Sequence, residues 1–490
     1  MKFSIKALVA GGAALGTALA MSTTVAAKPN AKSQRIIDHW TQDRIEAAVP
    51  RDMVIDHRGL GYIRGKNGAL TPHGHGVKST LRSVKTAKPV PHMGPGNSGG
   101  DTTPPTISSL DPADGASIGT TQVFSANVTD DSGVKSVTFN VIYQGQTYNF
   151  AGTHTGGGNY ETSVQGFTAG TAGSWNVTAT DTAKKGGNSS TSATNSFSVG
   201  GGGTGSGDDV ANTRWTNGGD IQTSVGRLFY EMPSNSRRKR WSGFVCSGTV
   251  ATDSTTGRSV IITASHCVYD DANKAFARNV LFIPDQDGTS GTGTDSNCSN
   301  DPIGCWTANF GVVDVNWTTR TFPDNIPWDY AYYVVNDSGQ HSGAASSSDS
   351  LETAVGGFNV NFSAPAVDDG TDGKFTQDYT HGMGYSYSDD PNFMYCAEDM
   401  STEGTDNWWL AQCGLSGGSS GGPWIQPMDE NTGTGPIISV NSWGYNGSPG
   451  MAGPKLNGTS ASCVFNAAIG TSFASVPTTD GDEGVIATCP

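Results

Sequence analysis

The chain has 490 residues, room for about three domains at ~150 residues each, and its 35% hydrophobic content is low but sufficient for β-rich cores. Its net charge of −15 is unevenly placed: residues 1–100 hold 14 of the 29 Lys+Arg and only 5 of the 44 Asp+Glu, which leaves 15 basic against 39 acidic residues beyond. An acidic body with a basic head argues against nucleic acid or an anionic membrane as the main partner.

Met1 to Ala27 reads as a signal peptide: Lys2 and Lys6 form a charged start, Ala7–Ala20 the apolar part, and Val25-Ala26-Ala27 a small-residue cleavage site. The expected location is therefore outside the cell or in the periplasm. Residues 28–100 are basic and free of cysteine. Ile36, Ile37, Trp40 and Ile45 recur at helical spacing, and the stretch ends at Pro50. His73-Gly74-His75 reads as a solvated loop, since no further metal-ligating residues stand near it. This region is expected to be a pro-segment, and its charge, opposite to that of the body, is compatible with inhibition of its own enzyme.

Residues 101–199 change character. Short alternating segments at Val123–Val128, Val134–Tyr143, Tyr160–Phe167 and Ser174–Thr180 are separated by turn clusters such as Asp130-Asp131-Ser132-Gly133. That spacing predicts an antiparallel β-sandwich. The stretch resembles bacterial Ig-like/fibronectin-III-like modules in its Val128-Thr129-Asp130 and Ala179-Thr180-Asp181 triplets. A Gly/Ser linker is expected over 200–213, and a third domain over 214–490. Strands are expected at Val225–Tyr230 and Phe244–Val250, with Arg237-Arg238-Lys239-Arg240 as a solvated hairpin tip between them.

All eight cysteines fall in this third region: Cys246, Cys267, Cys298, Cys305, Cys396, Cys413, Cys463 and Cys489. An even number behind a signal peptide implies disulfides. Proximity suggests Cys298–Cys305, Cys396–Cys413 and Cys463–Cys489. There is no CxxC pair, and neither a metal nor another cofactor is expected.

Three stretches carry chemistry. Val260–Thr263 is an apolar strand that runs through Ala264-Ser265 into His266-Cys267. Asp329 precedes the apolar run Tyr330–Val335. Gly417-Gly418-Ser419-Ser420-Gly421-Gly422-Pro423 sets a serine among four glycines. A serine hydroxyl attacks a carbonyl only when a base takes its proton and donors hold the oxyanion. His266 is the candidate base, Asp329 its orienting partner, and Ser420 the nucleophile. The N–H groups of Gly418 and Ser420 are the candidate oxyanion donors. His381 reads as a strand residue, and Asp324 lies in a Pro-rich turn.

These motifs, in the order His, Asp, Ser, resemble those of trypsin/chymotrypsin-type serine proteases. Thr263-Ala264-Ser265-His266-Cys267, Asp329-Tyr330-Ala331 and Gly418-Ser419-Ser420-Gly421-Gly422-Pro423 resemble three family motifs, and Ser442-Trp443-Gly444 resembles the one that lies beside the substrate backbone. The resemblance covers roughly residues 221 to 470 and is closest to secreted bacterial V8-like members, whose pro-regions also resemble the Trp40–Pro50 stretch. It implies an all-β fold, a two-barrel chymotrypsin-like domain preceded by the Ig-like sandwich, and a Cys246–Cys267 disulfide. It also implies hydrolysis of protein or peptide substrates through an acyl-enzyme. Ser419 stands where animal digestive relatives carry the aspartate that pairs with a new N-terminus, so that switch is absent or different. The resemblance puts Gly414 at the base of the substrate pocket, with Leu415, Asn441, Ser442, Trp443 and Gly444 around it. No charge stands at the expected places, so apolar residues are expected at P1, with Asn441 still able to donate a hydrogen bond. Two rival readings are a V8-like glutamyl endopeptidase and an inactive, protease-like adhesin or binding protein.

Overall fold

A computed structural model describes residues 29–74, 102–199 and 209–489, apart from short stretches inside each range. The expected signal peptide, the Gly200–Gly207 linker, His75 and the remainder of the basic stretch to residue 100 lie outside the described residues. The described chain is mostly β, built as several sheets with a curled half-barrel. Among the described residues, no helix is long and apolar enough to cross a membrane.

The N-terminal segment opens with α1 (Ala31–His39) and α2 (Gln42–Ala47). Asn30 caps α1 by accepting from the N–H groups of Lys32 and Ser33 at 3.0 and 2.9 Å. The single helical spacing over Ile36–Ile45 is thus divided in two, because the chain leaves the helical conformation at Trp40 and Thr41. Ile36, Trp40 and Ile45 bury against Phe229, Val245, Leu281 and Ile283 of the third region. Each such side chain contributes about 1.5–3 kcal/mol to holding the segment down. Four short strands follow: β1 (Val49–Pro50), β2 (Asp52–Ile55), β3 (Gly61–Arg64) and β4 (Leu70–Pro72).

Residues 102–199 form two sheets, one of four strands and one of six. Long strands at Thr121–Thr129, Val134–Tyr143, Asn159–Gln165 and Thr171–Asp181 match the expected alternating segments. Inward-facing residues alternate along them, and Phe124, Phe139, Trp175, Val177 and Phe197 make a shared core between the sheets. Asp130 accepts from the N–H and Oγ of Ser132, as a polar hairpin tip does.

The expected linker is shorter than 200–213. Val210–Arg214 is a strand that pairs antiparallel with Met394–Asp399 and so belongs to the third region. That region has a first sheet in which β5 (Val225–Pro233), β6 (Trp241–Ala251), β7 (Arg258–Thr263), β8 (Arg278–Pro284) and β9 (Ala331–Asn336) lie in the order β8-β5-β6-β7-β9. Arg237–Arg240 forms the exposed β5–β6 connection. A second sheet contains β10 (Tyr379–Gly384), β11 (Met394–Asp399), β12 (Pro423–Ile425) and β13 (Ile437–Val440). A third has β14 (Trp443–Tyr445) beside β15 (Met451–Pro454). Four disulfides join Cys246–Cys267, Cys298–Cys305, Cys396–Cys413 and Cys463–Cys489, the pairs expected from resemblance and proximity. Such a set belongs to an oxidising compartment.

The N-terminal segment is woven into these sheets. β1 pairs in parallel with β6, Val49 opposite Phe244 and Pro50 opposite Val245. β2 pairs in parallel with β14, Met53 opposite Trp443, Val54 opposite Gly444 and Ile55 opposite Tyr445. The two residues between the paired stretches, Arg51 and Asp52, therefore bridge from the first sheet to the third.

Candidate active site

β7 is buried from Ser259 to Thr263. It ends in a single 3-10 turn, Ser265–Cys267, that turns His266 inward. The Cys246–Cys267 disulfide ties this turn to β6. A second 3-10 turn, Ile326–Trp328, delivers Asp329 just before β9. Ser265 Oγ lies 2.9 Å from the carbonyl oxygen of Trp328 and 2.8 Å from that of Tyr330, so one hydroxyl fastens the two turns together.

Asp329 grips His266 twice. One carboxylate oxygen accepts the backbone N–H at 2.8 Å, and the other lies 2.7 Å from Nδ1. Ser442 Oγ donates to that second oxygen at 2.5 Å. Because an ionised carboxylate only accepts, Nδ1 carries a proton, and in the neutral ring Nε2 is then the acceptor. Nε2 is buried and has no hydrogen-bond partner among the described residues. A buried imidazole nitrogen kept free and in the accepting tautomer is able to take a proton. His381, by contrast, sits in β10 with Nε2 3.1 Å from Glu430, and His341 stacks on Trp306.

The Ser420 turn is shaped by its glycines. A Cβ at Gly421 would lie 2.0 Å from Thr263 Oγ1, and one at Gly422 2.0 Å from the carbonyl oxygen of Met383. Gly418 and Gly421 have φ of +99° and +80°. The Gly417 carbonyl accepts from Tyr387 N–H at 2.8 Å. In a trans peptide C=O and N–H point in opposite directions, so this bond directs the Gly418 N–H away from Tyr387. Among the described residues, neither Gly418 N–H nor Ser420 N–H donates a hydrogen bond. Two free amides beside a serine can hold a developing oxyanion.

Sequence reasoning overlooked Ser247, which braces this turn from β6. Its N–H donates to the Ser420 carbonyl at 2.7 Å, and its Oγ donates to the Gly418 carbonyl at 2.9 Å while accepting from Tyr385 N–H at 2.9 Å. Thr263 Oγ1 in turn holds the Ser247 carbonyl at 2.8 Å. Ser419 donates to the Ser416 carbonyl at 2.7 Å.

Ser420 borders a cavity of about 140 Å³ lined also by Gly414, Leu415, Ser442, Trp443 and Gly444. Asn441 departs from expectation. It is fully buried, donating to the carbonyls of Met383 and Ser419 at 2.8 and 3.0 Å and accepting from Trp424 Nε1 at 2.8 Å. With its amide used by the framework, it offers no donor to a ligand.

The N-terminal segment closes the cavity. Asp52, Val54 and Arg64 form part of its lining. A Cβ placed on Gly417 would lie 2.7 Å from the Asp52 Cβ and 2.8 Å from that of Pro50, so both residues rest on the loop that leads to Ser420. Burial pushes the Asp52 carboxyl above its ordinary range, and Arg64 and, after it, His266 pull it back only in part. The expectation of a solvated loop at His73 is also corrected: His73 is buried, with Nε2 2.7 Å from Asp271 Oδ1. A histidine in a Gly-rich stretch carries no sign of a carboxylate some two hundred residues away.

No protein-family model matches the chain, and a search of the curated proteins finds no match.

Proposed function

We propose that the chain is a secreted serine endopeptidase carrying its own inhibitor. The observation that supports this most is the buried His266–Asp329 pair, with Nε2 unpartnered, beside a serine turn that has two free amides. In this reading Ser420 Oγ attacks the substrate carbonyl carbon and His266 Nε2 takes its proton. The oxyanion rests on Gly418 and Ser420 N–H. The C–N bond then breaks, Nε2 returns the proton to the leaving amine, and water attacks the acyl-enzyme by the same route. In this reading the third region, from the Val210–Arg214 strand onward, is the two-barrel catalytic domain, and the upstream two-sheet unit is the Ig-like module.

The segment to residue 74 acts as the inhibitor because it occupies the edge of β14 and the cavity at once. The raised carboxyl of Asp52 argues for an apolar P1 preference, since the cavity leaves an acid uncompensated except by Arg64 of the segment itself and by His266. The test is hydrolysis of an unfolded protein by the processed enzyme. Ser420→Ala should fold and lose roughly 10⁴- to 10⁶-fold in kcat; retention of a tenth of the wild-type turnover would remove Ser420 from the role.

A further inference from the structure

Successive side chains of an extended chain point to opposite sides. Pro50 and Asp52 both rest on Gly417, and Arg51 between them points the other way, into Asp270 and Asp271. Arg51 is buried at 1% exposure, with Nη2 3.6 Å from Asp270 Oδ1 and 3.4 Å from Asp271 Oδ1. Its Nε and Nη1 find no acceptor among the described residues. The guanidinium is therefore held by charge and not by a two-pronged carboxylate fit.

Both carboxylates are fixed by the catalytic region and not by the segment alone. Asp270 accepts from the N–H groups of Ala272 and Asn273 at 3.0 and 2.9 Å and from Asn273 Nδ2 at 3.0 Å. Asp271 Oδ2 accepts from Phe322 N–H at 2.7 Å and Asn325 Nδ2 at 3.0 Å. Asp271 Oδ1 differs: its partners, Arg51 and His73, both belong to the segment. When the segment leaves, Asp271 Oδ2 keeps its anchors while Oδ1 loses both partners, which leaves a fixed anionic acceptor open to another donor.

We propose that Asp270 and Asp271 form a subsite for a cationic side chain, lysine or arginine, on one of the two substrate residues flanking P1. The proposal rests on the peptidase reading and names a second determinant of its substrates: an apolar residue in the cavity beside a basic one in the acidic seat. Arg51 occupies that seat in the intact chain. Because charge dominates the contact, lysine and arginine should serve about equally.

The experiment scans both residues flanking P1 in a peptide library with the processed wild-type enzyme and with Asp271→Asn. Lysine and arginine should be favoured at one of these positions by at least about tenfold in kcat/KM over leucine. Asp271→Asn should reduce that preference, read as the ratio of basic to neutral peptides, to threefold or less. Where Asp271→Asn does not fold, Asp270→Asn replaces it. A flat profile in the wild type, or a basic preference that survives the substitution, would overturn the subsite. A separate binding measurement uses Ser420→Ala, freed of its segment at an inserted cleavage site, with an arginine-containing peptide and its alanine counterpart. Arginine-dependent binding that vanishes on adding Asp271→Asn, without turnover in the wild type, would retain the subsite and refute the peptidase reading. Equal binding of the two peptides would overturn the subsite.

Discussion

Asp329 Oδ2 faces His266 Nδ1 at 2.7 Å and is itself held by the Ser442 hydroxyl. The imidazole is thereby fixed in the tautomer that leaves Nε2 free. Asp329→Asn replaces an acceptor-only group by one that also donates, which permits the other tautomer. Turnover at neutral pH should fall by roughly 10⁴-fold with folding intact. Steady-state kinetics on the processed variant checks this, and a loss under tenfold would assign the orienting role elsewhere.

Ser247 should act on the oxyanion donors without touching substrate. Ser247→Ala leaves Tyr385 N–H and the Gly418 carbonyl without their partner, and each unsatisfied group costs about 1–3 kcal/mol. The expected outcome is a kcat lowered by roughly 10- to 10³-fold with KM little changed. Affinity for a peptide boronate should fall in parallel, while affinity for a product peptide stays constant. Loss of thermal stability with an unchanged kcat would reduce Ser247 to a packing role.

Acid should release the segment. Burial pushes the Asp271 carboxyl up, but the hydrogen bond and charge of His73, with Arg51, overcome this and hold it well below the usual carboxylate range. Burial of Glu231 is likewise outweighed, chiefly by His39 and then Arg278, which bring it to about 2. A carboxyl held down in the docked state binds fewer protons there than when free. Docking is therefore complete above the ordinary carboxylate value of about 4 and weakens as pH falls below it. Asp52, held up by burial, works in the opposite direction but is one group against two. A peptide of residues 29–74 should bind the processed enzyme tightly at pH 6 and lose affinity between about pH 4 and 2; tighter binding on acidification would reverse the assignment.

The segment also reports on the cavity. Asp52→Leu removes a carboxyl that the cavity does not welcome and adds apolar surface at about 0.8 kcal/mol per buried methylene. Inhibition should tighten by roughly tenfold. Weaker inhibition by the leucine variant together with stronger inhibition by Asp52→Glu would favour an acid-specific enzyme.

The elements of the site were legible where local chemistry marks them. A buried run such as Val260–Thr263, an aspartate heading an apolar strand and a serine among glycines each carry a visible local signature, and in the structure Asp329 contacts both His266 and the Ser442 hydroxyl, while Ser442 and Ser420 line the same cavity. The contacts of the segment were not legible. Arg51, Asp52 and His73 acquire meaning only from Asp271, Gly417 and β14, which lie hundreds of residues onward and are reached through parallel pairings that no local pattern announces. Asn441 misled because its position suggests the cavity wall, while its side chain satisfies two buried carbonyls and an indole. Ser247, inside the expected Phe244–Val250 strand, carries no local signature because its four hydrogen bonds all lead out of its own stretch of sequence.

The central claim is that Ser420 is a nucleophile activated by His266 and masked by residues 29–74. Its most direct test is to treat the processed enzyme and the segment-bound chain with a fluorophosphonate and to locate the adduct by peptide mass spectrometry. The account predicts one adduct, on Ser420, formed rapidly in the processed enzyme, at least tenfold more slowly with the segment bound, and absent in His266→Ala. An adduct on another residue, or labelling of Ser420 at the same rate with and without the segment, would contradict it.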